Sequence, residues 1–226
     1  MTARRGIARL LALAIFAVPI IAIAGGPAMA QPVALKYSAS IFRSFEARFD
    51  DTQKFSKWVS MIERKLEQQP ELDSKGCGFQ LNEACGPYFW RQFVKEIEPD
   101  SAWAKIEKVN AYINKFRYVT DFDNWGTFDF WETPLEFLER RGDCEDYAIT
   151  KFVTLKRLGF DPDSMRIVAL NDTNLRTGHA VLMVNFNGQT FILDNQIRVV
   201  TPEATIRHYQ AVYSINERNW WLHIYR

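Results

Sequence analysis

DCEDYAITKFVTLKRLGFDPDSMRIVALNDTNLRTGHAVLMVNFNGQTFILD, residues 143–194, changes its hydrophobic period part-way along. Ala148, Phe152, Leu155 and Leu158 fall at helical spacing, with Asp143 opening the helix and Gly159 as a C-terminal stop. Beyond Gly159, Met165–Leu170, Ala180–Phe186 and Thr190–Leu193 are short, apolar and rich in β-branched or aromatic residues. Asn187-Gly188, between the last two, is a hairpin turn signal. A helix leading into antiparallel strands is the local reading.

Upstream the helical period continues. Thr52–Gln69 carries Phe55, Trp58, Val59, Ile62 and Leu66 at helical spacing and is expected to stop at Pro70. Glu71–Tyr88 reads as a loop or crosslinked hairpin, and Phe89–Ile97 as a short helix closed by Pro99. Ser101 caps an amphipathic helix with Trp103, Ile106, Val109, Ile113 and Phe116 on one face. Thr120–Trp131 reads as a structured loop, and Thr133-Pro134-Leu135-Glu136 as a helix start. Downstream, Trp220–Tyr225 is a further strand, whereas residues 31–49 read as an exposed lead-in. Helices first and strands afterwards imply one α+β domain over residues 31–226, with N-terminal helices packed on a C-terminal antiparallel sheet.

Residues 1–30 are expected to be a secretory signal peptide. Arg4, Arg5 and Arg9 precede an apolar run from Leu10 to Ile23, and Ala28-Met29-Ala30 offers small residues for cleavage. The run is short for a membrane span, which needs about 20 residues. An exported protein, not membrane-embedded after cleavage, is the expectation. The formal charge of +1 with no long basic run argues against nucleic acid as the partner. His179, His208 and His223 are scattered, and no HExxH, paired CxxC or P-loop pattern occurs, so zinc and nucleotide sites have no support. Cys77 and Cys85 are close enough to close a disulfide loop in an oxidising compartment, worth about 2–3 kcal/mol. Cys144 is left over.

That odd cysteine sits where chemistry is favoured. At a helix start, unsatisfied N–H groups and the helix dipole stabilise a thiolate, and a neighbouring imidazole makes it a nucleophile. His179 begins an apolar strand and Asp194 ends the next one, so hairpin pairing brings them side by side. A carboxylate there is expected to take the Nδ1–H bond and fix the ring's tautomer. Cys144 as nucleophile, His179 as base and Asp194 as orienting group fill the roles of an acyl-transfer triad. The Cys144 N–H is a natural oxyanion donor, and the Trp131 indole N–H is a candidate for the second.

Gly142-Asp143-Cys144-Glu145-Asp146-Tyr147-Ala148-Ile149 with Lys151 resembles the nucleophile motif of the bacterial transglutaminase-like cysteine proteinases. Gly178-His179-Ala180-Val181-Leu182 and Ile192-Leu193-Asp194-Asn195 are similar to the family's His and Asp motifs, in the right order. Trp125-Gly126, Trp131 and Thr133-Pro134-Leu135-Glu136 look like its lead-in, so the resemblance spans about residues 100–226. It implies a papain-like, transglutaminase-like fold, a periplasmic location and Cys-His-Asp proteolysis. Its LapG-type branch implies further that a large surface adhesin is released near its N-terminus, controlling biofilm attachment. The same branch implies a need for calcium and sequestration by an inner-membrane cyclic-di-GMP receptor. Carried onto this sequence, the calcium ligands centre on Asp143 and Glu145, with Asp121 or Asp123 as helpers. The chain departs from the LapG pattern in its Gly-His-Ala-Val motif and in the Cys77–Cys85 loop. A transglutaminase or amidase would use the same triad, and a non-catalytic binding module of the same fold is the other alternative.

Overall fold

The structure is a computed structural model, and it describes residues 41–78 and 85–225. The expected signal segment lies outside the described residues. Six helices precede six of the seven strands: α1 (Ser56–Ser74), α2 (Gly86–Ile97), α3 (Ala102–Ile113), α4 (Asp121–Trp125), α5 (Pro134–Arg140) and α6 (Cys144–Arg157). The strands are β1 (Phe45–Phe49), β2 (Met165–Asp172), β3 (Thr177–Phe186), β4 (Gln189–Leu193), β5 (Thr201–Pro202), β6 (Tyr209–Ile215) and β7 (Trp220–Ile224). They form one antiparallel sheet in the order β1-β7-β6-β2-β3-β4-β5. The α+β class is as expected.

The apolar run in β3 is long because both faces of that strand are covered. Leu182 and Val184 join Phe152 of α6, Trp90 of α2 and Ile106 of α3 in the main core. Val181 and Met183 alternate to the other face, where Ile41, Phe42 and Ile206 close a second cluster. Asn187 and Gly188 both take positive φ, 49° and 77°, which the two-residue β3–β4 turn requires. That turn sets the register that pairs Leu182 with Leu193.

Three expectations need correction. The lead-in 31–49 ends in β1, an edge strand on β7; its segment FEARF alternates apolar and charged residues over only five positions, and it buries Glu46 beside Ala47 rather than one apolar face. Pro70 does not stop α1, which runs on to Ser74. A proline removes one intrahelical bond, but the last turn is anchored by buried Leu72, whose carbonyl accepts from Arg91 at 2.7 Å. The structured loop at 120–131 contains α4, capped by the Thr120 hydroxyl and ended by Gly126 at φ 69°. Cys77 and Cys85 form the expected disulfide, with Cα atoms 4.9 Å apart. No helix among the described residues is long and apolar enough to cross a membrane.

Gly86 opens α2 where α5 passes so closely that an added Cβ would lie 1.8 Å from the Leu138 carbonyl oxygen. Gly86→Ala is expected to cost about 3 kcal/mol, the upper end for overpacking. A lower urea midpoint at unchanged slope would show it; a wild-type midpoint would exclude this close approach.

Candidate active site

The site is built around the first turn of α6. Asp143 is the N-cap, and the Asp146 carboxylate folds back over it. Its Oδ2 accepts from the Asp143 N–H at 3.0 Å, and its Oδ1 accepts from the Glu132 N–H at 2.7 Å. Gly142 is required beside it, because a Cβ there would lie 2.3 Å from Asp146 Oδ2. This clamp fixes where Cys144 begins the helix.

The Cys144 sulfur accepts from the backbone N–H of Ala180, the residue after His179. Its own proton is directed to Glu145 Oε2, 3.1 Å away. The structure thus sets the sulfur beside the start of β3 but gives the thiol to Glu145 rather than to the imidazole. Burial first, and then the charges of Glu145 and Asp143, push the thiol pKa well up. The depressed pKa expected from the helix start is therefore outweighed by these neighbours.

His179 and Asp194 are brought together. His179 Nε2 lies 3.0 Å from Asp194 Oδ1, and both side chains are buried. The bonded nitrogen is Nε2, not the expected Nδ1, so Nδ1 is the nitrogen left for chemistry. It faces the carboxamide of exposed Gln196, with Nε2 at 3.4 Å. Asp194 is further held by the Gln196 N–H at 2.8 Å and the Tyr209 hydroxyl at 2.6 Å. These bonds hold the Asp194 pKa below its ordinary value even though its burial pushes it up. Tyr209 escaped the sequence reading because it lies on β6, a strand that was not anticipated.

The Trp131 indole, expected as a second oxyanion donor, is engaged elsewhere in this structure. Its indole N–H donates to Asp129 Oδ1 at 3.0 Å, and the ring packs edge-on against Trp58 in the core.

Five acidic groups converge beside Cys144. Ligand oxygens of Asp121, Asp143 and Asp146 lie within 4.8 Å of one another, and Asp143 also groups with Cys144 and Glu145. Glu132 joins them: its Oε1 accepts from Asn124 at 2.6 Å and from Trp125 at 2.5 Å. Asp121 Oδ1, Asp143 Oδ1 and Glu132 Oε2 are buried with no hydrogen-bond partner among the described residues. Asp123, the alternative helper, is not brought into this group: exposed on α4, its Oδ2 accepts from the Thr120 hydroxyl at 2.7 Å. Asp146 and Glu132 were missed. Their signal was present in the Asp143-Cys144-Glu145-Asp146 run and in Glu132 beside Trp131, but nothing local in the sequence sets either apart from its acidic neighbours. Burial, reinforced by neighbouring carboxylates, raises Asp121 to about 6, Asp143 to about 8 and Glu132 to about 8. Asp146 is pushed well up for the same reasons. Hard oxygens that are orphaned and mutually repelling fit a divalent cation such as calcium.

A model of the bacterial transglutaminase-like cysteine proteinases (BTLCP) matches residues 78–226. The chain belongs to this family. The match begins earlier than the motif resemblance and takes in Cys85 and α2. Three solved structures of LapG from Legionella pneumophila are 28% identical to the chain, with a TM-score of 0.59 and 70% of the chain covered. The calcium-bound form is covered over 87% of its own length and the EGTA-treated form over 84%. No curated protein matches. The fold and family together are those of a cysteine peptidase-like chain, for which a protein is the substrate.

The raised acids carry a pH signature. Each folded-state pKa lies above the unfolded value, so the folded protein keeps protons that the unfolded chain has released. Stability in a chelating buffer should therefore fall as pH rises from about 4 to about 8. Asp143→Asn is expected to flatten that slope in melting temperature against pH. An unchanged slope in the folded variant would remove the cluster as its cause.

Proposed function

We propose that the chain is a periplasmic cysteine endopeptidase, with Cys144 as nucleophile, His179 as base and Asp194 as the residue orienting the base. The observation carrying this reading is the buried His179 Nε2–Asp194 Oδ1 pair at 3.0 Å, which leaves Nδ1 for the sulfur at the start of α6. Rotation of the thiol from Glu145 to Nδ1 makes the nucleophile–base contact. His179 takes the thiol proton, and the sulfur attacks the peptide carbonyl. The tetrahedral oxyanion is met by the Cys144 N–H. The imidazolium then protonates the leaving amine as the C–N bond breaks, giving a thioester. Water, deprotonated by His179, cleaves the thioester and restores the thiol.

Calcium fits the orphaned oxygens of Asp121 and Asp143, with Asp146, Glu145 and Glu132 at hand. Bound there, it supplies the positive charge that these acids lack beside the sulfur. The calcium-bound and EGTA-treated forms of Legionella pneumophila LapG support the assignment. From the basic start, the apolar run and Ala28-Met29-Ala30 we further propose that residues 1–30 direct export and are removed. The substrate class is a large surface adhesin whose release controls biofilm attachment, and an inner-membrane cyclic-di-GMP receptor holds the protease in check.

Cys144→Ala should keep the wild-type stability to within about 1 kcal/mol and retain adhesin on the cell surface. Adhesin shedding at the wild-type rate by that variant would remove the mechanism. Product formed with and without an added amine separates hydrolysis from acyl transfer.

EGTA should lower both peptide cleavage and melting temperature, and added calcium should restore both. At calcium a hundredfold above its Kd the stabilisation is about 2.7 kcal/mol. A melting temperature indifferent to calcium would reduce Asp143 and Glu145 to helix-capping roles.

A further inference from the structure

We infer that Lys151 is a positioning residue for the candidate triad: its buried ammonium is the counter-charge of Asp194 and tunes how firmly that carboxylate holds the His179 imidazolium. The inference rests on the triad reading above. Lys151 follows Cys144 by seven residues, so it lies two turns, about 10 Å, further along α6 on the same face. It has 0% exposure, and its Nζ has no hydrogen-bond partner among the described residues. An unpaired ammonium is strongly disfavoured in such a place, whereas a methionine would pack there without that penalty.

Among the described residues the charged group facing Lys151 is Asp194, just past the end of β4. On its own helix, Tyr147 presents its ring 5.9 Å from Nζ. Through Asp194 the charge reaches His179 on β3 and Tyr209 on β6. Asn114, just past α3, ties the same segment down by donating to the Asp194 carbonyl at 2.7 Å. The Asp194 oxygens already accept from His179, Gln196 and Tyr209, so Lys151 acts through space, where a dry interior screens charge weakly. Burial also lowers the Lys151 pKa to about 7, so this counter-charge is present below neutral pH and fades above it.

The sign follows. A cation near Asp194 offsets the carboxylate and makes the imidazolium easier to deprotonate. Removing it should raise the His179 pKa by about one unit. The test is an NMR titration of the His179 ring in the Cys144→Ala protein, with and without Lys151→Met, Lys151→Gln or Lys151→Arg. The Met and Gln variants should show the upward shift and the Arg variant should not. In the Cys144-containing protein, Lys151→Met should move the acid limb of kcat/KM, where the base His179 loses its proton, upward by a similar amount with KM unchanged. A His179 titration unmoved in the folded Met and Gln variants would overturn the inference, with the triad still standing if Cys144→Ala is inactive. Full cleavage by Cys144→Ala would instead overturn the triad reading itself.

Discussion

The buried carboxylate of Asp146 is the joint on which the site turns. It accepts one N–H from Asp143 at the start of α6 and another from Glu132 in the segment before α5. Two chain segments are thereby locked at a single point, and Gly142 has no side chain because that carboxylate occupies the space. The clamp places Cys144 at the first helical position, facing the start of β3. It also brings the Asp146 carboxylate within reach of Asp121 and Asp143. A nucleophile and a cluster of acids beside it are two consequences of one arrangement.

Those consequences pull in opposite directions. A thiol beside buried carboxylates is a poor nucleophile, since each charge disfavours the thiolate, and Glu145 additionally holds the thiol proton. The helix dipole, worth less than about 2 kcal/mol even in favourable settings, does not compensate. Reactivity then depends on neutralising the acids. A cation among them would do two things at once, relieving the repulsion within the cluster and lifting the penalty on the sulfur's charge. In such a site, metal dependence of stability and of catalysis have one electrostatic origin.

Much of this was legible in the sequence, and the reasons are particular. Cys144, His179 and Asp194 could be read because each marks the end of an element with a strong period, and Asn187-Gly188 fixes the pairing of two of them. Thr133 and Ser101 were visible as caps because their side chains satisfy local N–H groups. What stayed hidden depends on contacts distant in sequence. β1 becomes a strand only because β7 pairs with it, and Pro70 stays within α1 because Leu72 is buried and Arg91 holds the turn. The orientation of the imidazole was misjudged for the same kind of reason. Which nitrogen meets Asp194 depends on the approach of β3 to β4, not on which residues the two strands carry.

The interior on the other side of the triad completes the charge pattern. The acidic cluster lies at the N-terminus of α6, and Lys151 is buried two turns below it with Asp194 as its counterpart. Between them, in the proposed reaction, proton transfer from the Cys144 thiol to the His179 ring would create a negative and a positive charge. Such a pair is least costly when the fixed charges at both ends balance. A cation above and an ammonium below would bracket the pair with positive charge, leaving the Asp194 carboxylate to hold the imidazolium in place. The buried lysine belongs to the same helix as the nucleophile, so the distance between these charges is set by the rigid rise of α6 rather than by loops.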